Sequence, residues 1–144
     1  MSGCGYLRLR TTMAFKPGDT FEVSRLVTDE LIRKFADVSG DTNPIHLDEE
    51  FAAGTRFGKR IAHGMLTASF ISALLGSSLS VNKLVYLGQT LKFKSPVFIG
   101  DTVTATGTVL KMREDKPIAT VETVCRNQHG DVLIEGEAVL MLLD

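Results

Sequence analysis

The feature that most constrains the fold is an uncharged stretch from Gly64 to Gly76, followed by a sequence dominated by β-forming residues. Apolar and small residues occur on every side of a helix drawn through this stretch, which predicts a helix buried all round. Its length suits the core of a water-soluble domain, since a membrane-spanning helix needs about 20 residues. The rest of the chain must therefore supply the surface that covers this helix.

Four later segments carry β-type patterns separated by polar turns: Leu84–Val97, Val103–Leu110, Ile118–Cys125 and Val132–Leu143. Short turns between successive strands predict an antiparallel meander, which must bury one face. Thr20–Ser24 alternates well enough to add an edge strand. We therefore predict an α+β fold in which an antiparallel sheet wraps around one buried helix.

Length and composition limit the possible classes of protein. A chain of 144 residues with 44% hydrophobic residues is long enough for one domain with a core, here assigned to residues 15–144 after a tail of residues 1–14. The net charge of −1 indicates neither a nucleic-acid-binding surface nor a membrane-binding one. Cys4 and Cys125 are far apart, which is typical of a reducing compartment.

Two locations are compatible with the N-terminal residues. We predict a cytoplasmic protein, with the mitochondrial matrix as the alternative. Residues 1–16 contain Arg8 and Arg10 but no acid, which would suit a transit peptide. An N-terminal segment without any targeting role would explain the same residues.

A polar turn places an acid, an amide and an imidazole close together: Asp41, Asn43 and His46. A helix capped by Thr28 is expected to end at Gly40, and a second short helix to begin at Asp48 with Phe51 and Ala52 facing inward. Because Pro44 excludes Asn43 from the helical region, the turn should be a stiff loop. A rigid acid–imidazole pair is what general acid–base catalysis requires.

The residues around this turn resemble a known family. The pattern F-x-x-V-S-G-D-x-N-P-I-H-x-x-x-x-x-A, which spans Phe35 to Ala52, resembles the hydratase signature of the MaoC-like (R)-specific enoyl-CoA hydratases. Ile61–Met65 is similar to the second block of that family, and Tyr86–Gln89 and Phe93–Asp101 are similar to the strand that follows.

The resemblance implies both a fold and a reaction. The fold is a hot-dog domain, in which the helical segment carrying the turn overhangs the sheet, and the protein is a homodimer. The reaction is the reversible syn hydration of a trans-2-enoyl thioester to the (R)-3-hydroxyacyl thioester. No metal or redox cofactor is required, and Asp41 with His46 lacks a convincing third metal ligand in the sequence.

Site roles follow from this chemistry and from the resemblance. Asp41 is predicted to be the base, and His46 to hold and polarise the water. Gly64 matches the oxyanion glycine of the family, and a backbone N–H at a helix start suits a developing negative charge. Asn43 matches a family position that hydrogen-bonds within the site.

The acyl chain is expected to run beside the helix that begins at Gly64. Met65, Leu74 and Leu75 are predicted to contact it, with Leu75 as the floor of the pocket, although the leucine pair could equally belong to the core. His63 is expected to donate a structural hydrogen bond at the helix start, and His129 to be solvated in a turn.

Several functions remain open from the sequence. The substrate could be an enoyl-CoA or an enoyl-acyl carrier protein (ACP), and the alternative enzyme is a 3-hydroxyacyl-ACP dehydratase. A hot-dog thioesterase is disfavoured because Gly64–Gly76 contains no acid. A non-catalytic acyl-thioester-binding module would have no obvious use for an acid, an amide and a histidine in one turn.

Overall fold

The computed structural model describes residues 16–77 and 84–143. The strands are β1 (Thr20–Leu26), β2 (Leu84–Gln89), β3 (Lys92–Phe93), β4 (Thr102–Met112), β5 (Ile118–Arg126) and β6 (Val132–Leu142). The helices are α1 (Asp29–Ser39), α2 (Pro44–Leu47), α3 (Glu49–Ala53) and α4 (Gly64–Ser77). None of the helices in these two ranges has the length and apolar character needed to cross a membrane. The predicted tail of residues 1–14, which includes Cys4, lies outside the described residues.

Helix α1 begins and ends where the local sequence predicts. The Thr28 hydroxyl accepts a hydrogen bond from the Leu31 N–H at 3.1 Å, and Asp29 and Glu30 complement the positive end of the helix dipole. At the other end Gly40 adopts φ of 81°, a left-handed conformation that costs glycine little. The chain therefore leaves the helix just before Asp41.

The sheet is antiparallel, but the predicted meander is wrong for one strand. The strand order is β1-β4-β5-β6-β2, with β3 also paired with β6. Only β4, β5 and β6 follow one another as a meander, whereas β2 pairs with β6 and not with β4. The edge of β4 is already taken by β1, so β2 can complete its hydrogen bonds only on the other side of the sheet.

The predicted strand Leu84–Val97 is also interrupted. Its register with β6 shifts between Tyr86 and Gly88, and the chain re-enters the sheet only at Lys92. At the break, the Thr90 carbonyl passes so close to Gly136 that a Cβ there would lie 1.8 Å from it. Only glycine permits this approach.

Helix α4 packs one side against one face of the sheet. The buried side carries Leu66, Phe70, Ile71, Leu74 and Leu75, and these residues share one core with strand residues including Val103, Val109, Val121, Leu133 and Leu140. The prediction of a helix buried all round is wrong, because Met65, Ser69 and Ser72 on the opposite side are exposed. A single sheet can cover only one side of a helix, and within this chain the other side remains open.

The short helix α3 buries only one of the two residues that were predicted to face inward. Ala52 is fully buried, as expected, but Phe51 is 50% exposed. Consecutive residues of an α-helix point about 100° apart, since there are 3.6 residues in each turn. A helix of five residues that buries only one side therefore cannot direct both residues into the core.

Candidate active site

The Asp41 carboxylate is held by the loop that leaves helix α1. The Ser39 hydroxyl accepts a hydrogen bond from the Asp41 N–H at 3.1 Å and donates one to the Phe35 carbonyl at 2.6 Å. Asp41 Oδ1 accepts the Asn43 N–H at 3.2 Å, and the side chain is about half exposed. One carboxylate oxygen is thus used to fix the loop, which leaves Oδ2 available for chemistry.

His46 lies on helix α2 and not on a loop, which corrects the expectation of a purely loop-borne pair. Pro44 occupies the first turn of this helix, where its missing N–H costs nothing. Asn43 caps the helix, because its Oδ1 accepts the Ile45 N–H at 3.1 Å. The predicted Asn43 thus has a structural role at this position, and its role in the reaction stays a prediction.

The tautomer of the neutral His46 ring is decided by one hydrogen bond. Its Nδ1 lies 2.8 Å from the Ile61 carbonyl oxygen, which can only accept. In the neutral ring the proton must therefore be on Nδ1, and Nε2 carries a lone pair. His46 is buried, with only 8% of the residue exposed.

Asp41 and His46 come together as a pair of acceptors. Asp41 Oδ2 lies 3.9 Å from His46 Nε2, too far for a direct hydrogen bond. A water molecule placed about 2.8 Å from both atoms could donate one hydrogen to each. The pair therefore forms a cradle for one water molecule, with the water's lone pairs directed away from both groups.

His63 joins this pair from helix α4, and the sequence did not predict that contact. Its Nε2–H donates to the Asp41 carbonyl at 2.9 Å, and its ring stacks on the His46 ring with centroids 3.9 Å apart. Burial is the largest cause lowering the pKa of His63, so the ring stays neutral at pH 7. The structural hydrogen bond expected of His63 thus ends on the turn that carries Asp41.

The sequence offered no third metal ligand near Asp41 and His46, but the structure places His63 beside them. Ligand atoms of Asp41, His46 and His63 all lie within 4.8 Å of one another. However, the two imidazoles stack with an interplanar angle of 27°, so their in-plane lone pairs do not converge on one point as zinc ligands must. His63 Nε2 is also committed to the Asp41 carbonyl. The arrangement fits acid–base chemistry better than a metal centre.

Gly64 provides an unpaired backbone donor next to these groups. It is the first residue of α4 and is exposed. No acceptor within residues 16–77 and 84–143 takes its N–H. A Cβ at this position would lie 2.8 Å from the Phe93 ring, so glycine keeps the approach to the N–H open.

Residues 13–129 match the family described as MaoC like domain. The chain belongs to the MaoC-like domain family. It is similar to an (R)-specific enoyl-CoA hydratase of Rhodospirillum rubrum (47% identity, 88% of both chains) and to one of Aeromonas caviae (52% identity, 77% of this chain and 83% of the other). Among solved structures it is similar to the (R)-hydratase from Aeromonas caviae, with a TM-score of 0.87 and 46% identity over 90% of this chain and 98% of that chain. The family and the hot-dog fold that the sequence implied are confirmed.

This MaoC-like domain contains one buried charge that sequence reasoning missed. Nothing in the sequence around Arg60 indicates burial, yet its side chain is only 6% exposed. Its Nε–H donates to the His46 carbonyl at 2.7 Å and one Nη2–H donates to Asp29 Oδ1 at 2.7 Å. The hydrogen bond with Arg60 is the largest cause lowering the pKa of Asp29. Arg60 therefore ties the helical turn of His46 to the start of α1.

We expect Arg60→Met to lower the free energy of unfolding by about 2 kcal/mol, because methionine leaves the buried His46 carbonyl without its charged donor. Urea denaturation followed by circular dichroism measures this change. Lys59→Met is the matched control, since Lys59 is the adjacent cation and is exposed. Equal midpoints for the two variants would show that the Arg60 contacts contribute nothing.

Two grooves border the start of α4 in this MaoC-like domain. The first, of about 310 Å³, is lined by residues that include Gly64, Arg56 and Lys94. The second, of about 560 Å³, is lined mainly by apolar residues and includes Met65, which is 56% exposed. The predicted pocket residue Met65 is therefore on a groove.

The other two predicted pocket residues lie elsewhere. Leu74 and Leu75 are 0% and 1% exposed, belong to the core cluster and line neither groove. Of the two roles left open by the sequence, the structure places both leucines in the core. A contact of Leu75 with an acyl chain stays a prediction, and it would require the chain to enter between core residues.

Two further reactive side chains lie away from the pair. His129 is exposed in the turn between β5 and β6, in agreement with the sequence analysis. Cys125 is fully buried, and burial raises the pKa of its thiol to about 12. A thiol that remains protonated is a poor nucleophile.

Proposed function

We propose that this protein is an (R)-specific enoyl-CoA hydratase, which adds water reversibly and with syn geometry to trans-2-enoyl thioesters. The observation that carries the proposal is the 3.9 Å separation of Asp41 Oδ2 and His46 Nε2, with the His46 proton held at Nδ1. Membership of the MaoC-like family and the names of relatives at 47% and 52% identity support the same reaction.

The proposed reaction starts from water held between Asp41 and His46. Asp41 takes one proton as the water oxygen bonds to C3 of the enoyl chain, and His46 orients the water through its second hydrogen. The electron pair of the C2=C3 bond moves toward the thioester oxygen. Asp41 and His46 then return a proton to C2 from the face on which the water was added. Both new bonds therefore lie on one face.

Gly64 is proposed to stabilise the charge that develops on the thioester oxygen. Gly64 is exposed at the positive end of α4, and an N–H donor placed there binds an oxyanion more strongly than a neutral carbonyl. His63 is the residue before Gly64 and contacts both Asp41 and His46. This connection fixes the oxyanion donor relative to the water cradle. Asn43 contributes by capping the turn that bears His46.

The alternatives differ in the carrier or in the bond that reacts. A 3-hydroxyacyl-ACP dehydratase would use the same cradle in the reverse direction, with acyl carrier protein in place of CoA. A thioesterase would need a group that attacks the carbonyl from helix α4, and no acid is present there. A binding module would not need the fixed tautomer of His46.

The proposed function is tested with crotonyl-CoA and longer enoyl-CoAs. Hydration removes the conjugated double bond, so ultraviolet absorbance falls as product forms, and chiral chromatography of the product must give the (R)-3-hydroxy isomer. Release of free thiol would indicate a thioesterase. Absence of both reactions would contradict an enzymatic role on these thioesters.

We also propose a cytoplasmic homodimer that joins through the edge of β2. Three apolar residues of this strand are exposed: Val85 at 40%, Tyr86 at 38% and Leu87 at 48%. An unpaired edge with such side chains is a liability that pairing with a second copy removes. The other edge strand, β1, exposes one large apolar residue, Leu26 at 53%, and its other exposed residues, such as Thr20 and Glu22, are polar or charged.

We expect the protein to sediment as a dimer of the 15.7 kDa chain, and Leu87→Glu to shift it toward monomer, because a charge would have to be buried at the apolar edge. Analytical ultracentrifugation of both forms measures this shift. Thr20→Glu places the same charge on the β1 edge and should leave the dimer intact. A monomeric, active wild-type protein would contradict the proposal.

A further inference from the structure

Most of the hydrogen bonds that hold Asp41 are local. Its N–H donates to the Ser39 hydroxyl and its Oδ1 accepts the Asn43 N–H, so both partners lie two positions away. Such bonds give the turn its shape, but they do not fix the turn against the rest of the fold. Within residues 16–77 and 84–143, only the bond from His63 Nε2–H to the Asp41 carbonyl, at 2.9 Å, joins Asp41 to a distant part of the chain.

His46 is anchored differently, and without the help of His63. Its Nδ1–H donates to the Ile61 carbonyl at 2.8 Å, and its own carbonyl accepts the Arg60 Nε–H at 2.7 Å. The stack on the His63 ring, with centroids 3.9 Å apart, is a third contact to the same residue. Loss of the stack alone should therefore leave His46 in place.

The residues that hold the two sides of the water cradle are near neighbours in the chain. Ile61 binds the imidazole side and His63 binds the carboxylate side. Ala62 lies between them, and its N–H donates to the Val97 carbonyl at 2.7 Å. The separation of 3.9 Å across the cradle is therefore set by neighbouring residues of one anchored segment.

The His63 ring carries a cost that an apolar ring would avoid. His63 is 2% exposed, and its Nδ1 has no hydrogen-bond partner among the described residues. An unpaired buried nitrogen costs free energy, whereas a phenylalanine of similar shape would bury no polar atom. The Nε2–H bond to Asp41 is the polar contact that phenylalanine could not make.

We infer, on the basis of the proposed hydratase function, that His63 is a positioning residue whose Nε2–H holds the Asp41 carbonyl and thereby keeps Asp41 Oδ2 opposite His46 Nε2. A misplacement of about 1 Å in a reacting group can lower a rate roughly 100-fold. Loss of this tether should therefore lower kcat. KM should change little, because His63 lines neither of the two grooves.

Two substitutions separate the hydrogen bond from the ring stack. His63→Phe keeps a ring and removes the donor, whereas His63→Gln removes the ring and keeps an N–H donor of similar reach. We expect His63→Phe to lower kcat for crotonyl-CoA roughly 10- to 100-fold, with KM within about 3-fold of the wild-type value. His63→Gln should keep kcat within about 3-fold of wild type. Equal losses in the two variants would overturn the inference.

The matched controls are His129→Phe and His129→Gln, the same substitutions at an exposed histidine outside the site. Both should keep the wild-type kcat and KM. Thermal melting shows whether each variant is folded at the assay temperature. A fall in activity that only follows the loss of folded protein would mean that His63 has a structural role alone, which would refute the inference.

The route of the effect is tested in the Asp41→Asn background. If His63 acts through the Asp41 carboxylate, adding His63→Phe should lower kcat by less than about 2-fold once that carboxylate is gone. A further loss as large as in the single variant would show that His63 acts elsewhere, and it would overturn the assigned role.

Amide hydrogen exchange, followed by NMR, tests the tether without any activity. The N–H groups of Asp41 and Asn43 should exchange faster in His63→Phe than in the wild type, and at the wild-type rate in His63→Gln. Equal exchange in all three proteins would refute the tether even if the wild type is active. Inactivity of the wild type with every enoyl thioester would refute the proposed hydratase, and the exchange rates would still decide whether His63 holds the turn.

Discussion

Asp41→Asn and His46→Gln are each expected to lower kcat for enoyl-thioester hydration by at least about 100-fold. Asparagine cannot take a proton from water, and the glutamine amide is a far weaker base than the imidazole whose free lone pair the Ile61 carbonyl fixes at Nε2. Since both groups act on one water molecule, the double variant should lose little more than the more severe single variant. Initial rates at saturating crotonyl-CoA measure these effects.

The control for this experiment is Asp37→Asn, which removes an exposed acid from helix α1 outside the site. It should retain wild-type kcat. Thermal melting of all variants shows whether the fold is intact. Near-normal activity in folded Asp41→Asn or His46→Gln would remove that residue from the mechanism.

Gly136→Ala is expected to have the largest effect on stability. The added Cβ would lie 1.8 Å from the Thr90 carbonyl oxygen, which is a backbone atom and cannot rotate away. Two hydrogen bonds to Glu137 also hold Thr90 in place. Its N–H donates to the Glu137 carbonyl and its hydroxyl accepts the Glu137 N–H, each at 2.9 Å. We expect a loss of about 3 kcal/mol or more, which corresponds to a fall in Tm of roughly 10 °C.

The matched control is Gly76→Ala in helix α4, where a new Cβ meets nothing within 4 Å. Alanine restricts the unfolded chain more than glycine does, so this variant should be unchanged or more stable by about 0.5 kcal/mol. Differential scanning calorimetry compares the three proteins. A Tm for Gly136→Ala within roughly two degrees of the wild-type value would be well below the expected cost of overpacking. It would mean that β6 and Thr90 can move apart without a loss of stability.

Local signals in the sequence were sufficient for the elements that carry the pair. Thr28 and Gly40 are close in the chain to the backbone groups that they cap, so the limits of α1 could be predicted from them. Asp41 and His46 are separated by only four residues, so a compact turn was bound to bring them near each other. The one error here was minor, since Asn43 and Pro44 begin a helical turn instead of a loop.

Signals that depend on distant residues were missed. Arg60 looks like any basic residue of a polar loop, and its burial arises from Asp29 and the His46 carbonyl, which lie 31 and 14 positions earlier in the chain. Similarly, the alternation of β2 predicts a strand but is the same whether the strand pairs with β4 or β6. The exposed side of α4 was missed because an apolar sequence does not reveal how much of a helix one sheet can cover.

The sequence by itself determined that an apolar helix and an antiparallel sheet would share one core, and that an acid and an imidazole would meet on one turn. Both follow from periodicity and from residues close together in the chain, where backbone geometry leaves few alternatives. The tertiary structure alone decided that His63 stacks on His46, that Arg60 is buried beneath it, that Leu74 and Leu75 face the core, and that two unlike grooves adjoin at Gly64. These features depend on contacts between residues far apart in the chain, and such contacts produce no periodic pattern in a single sequence.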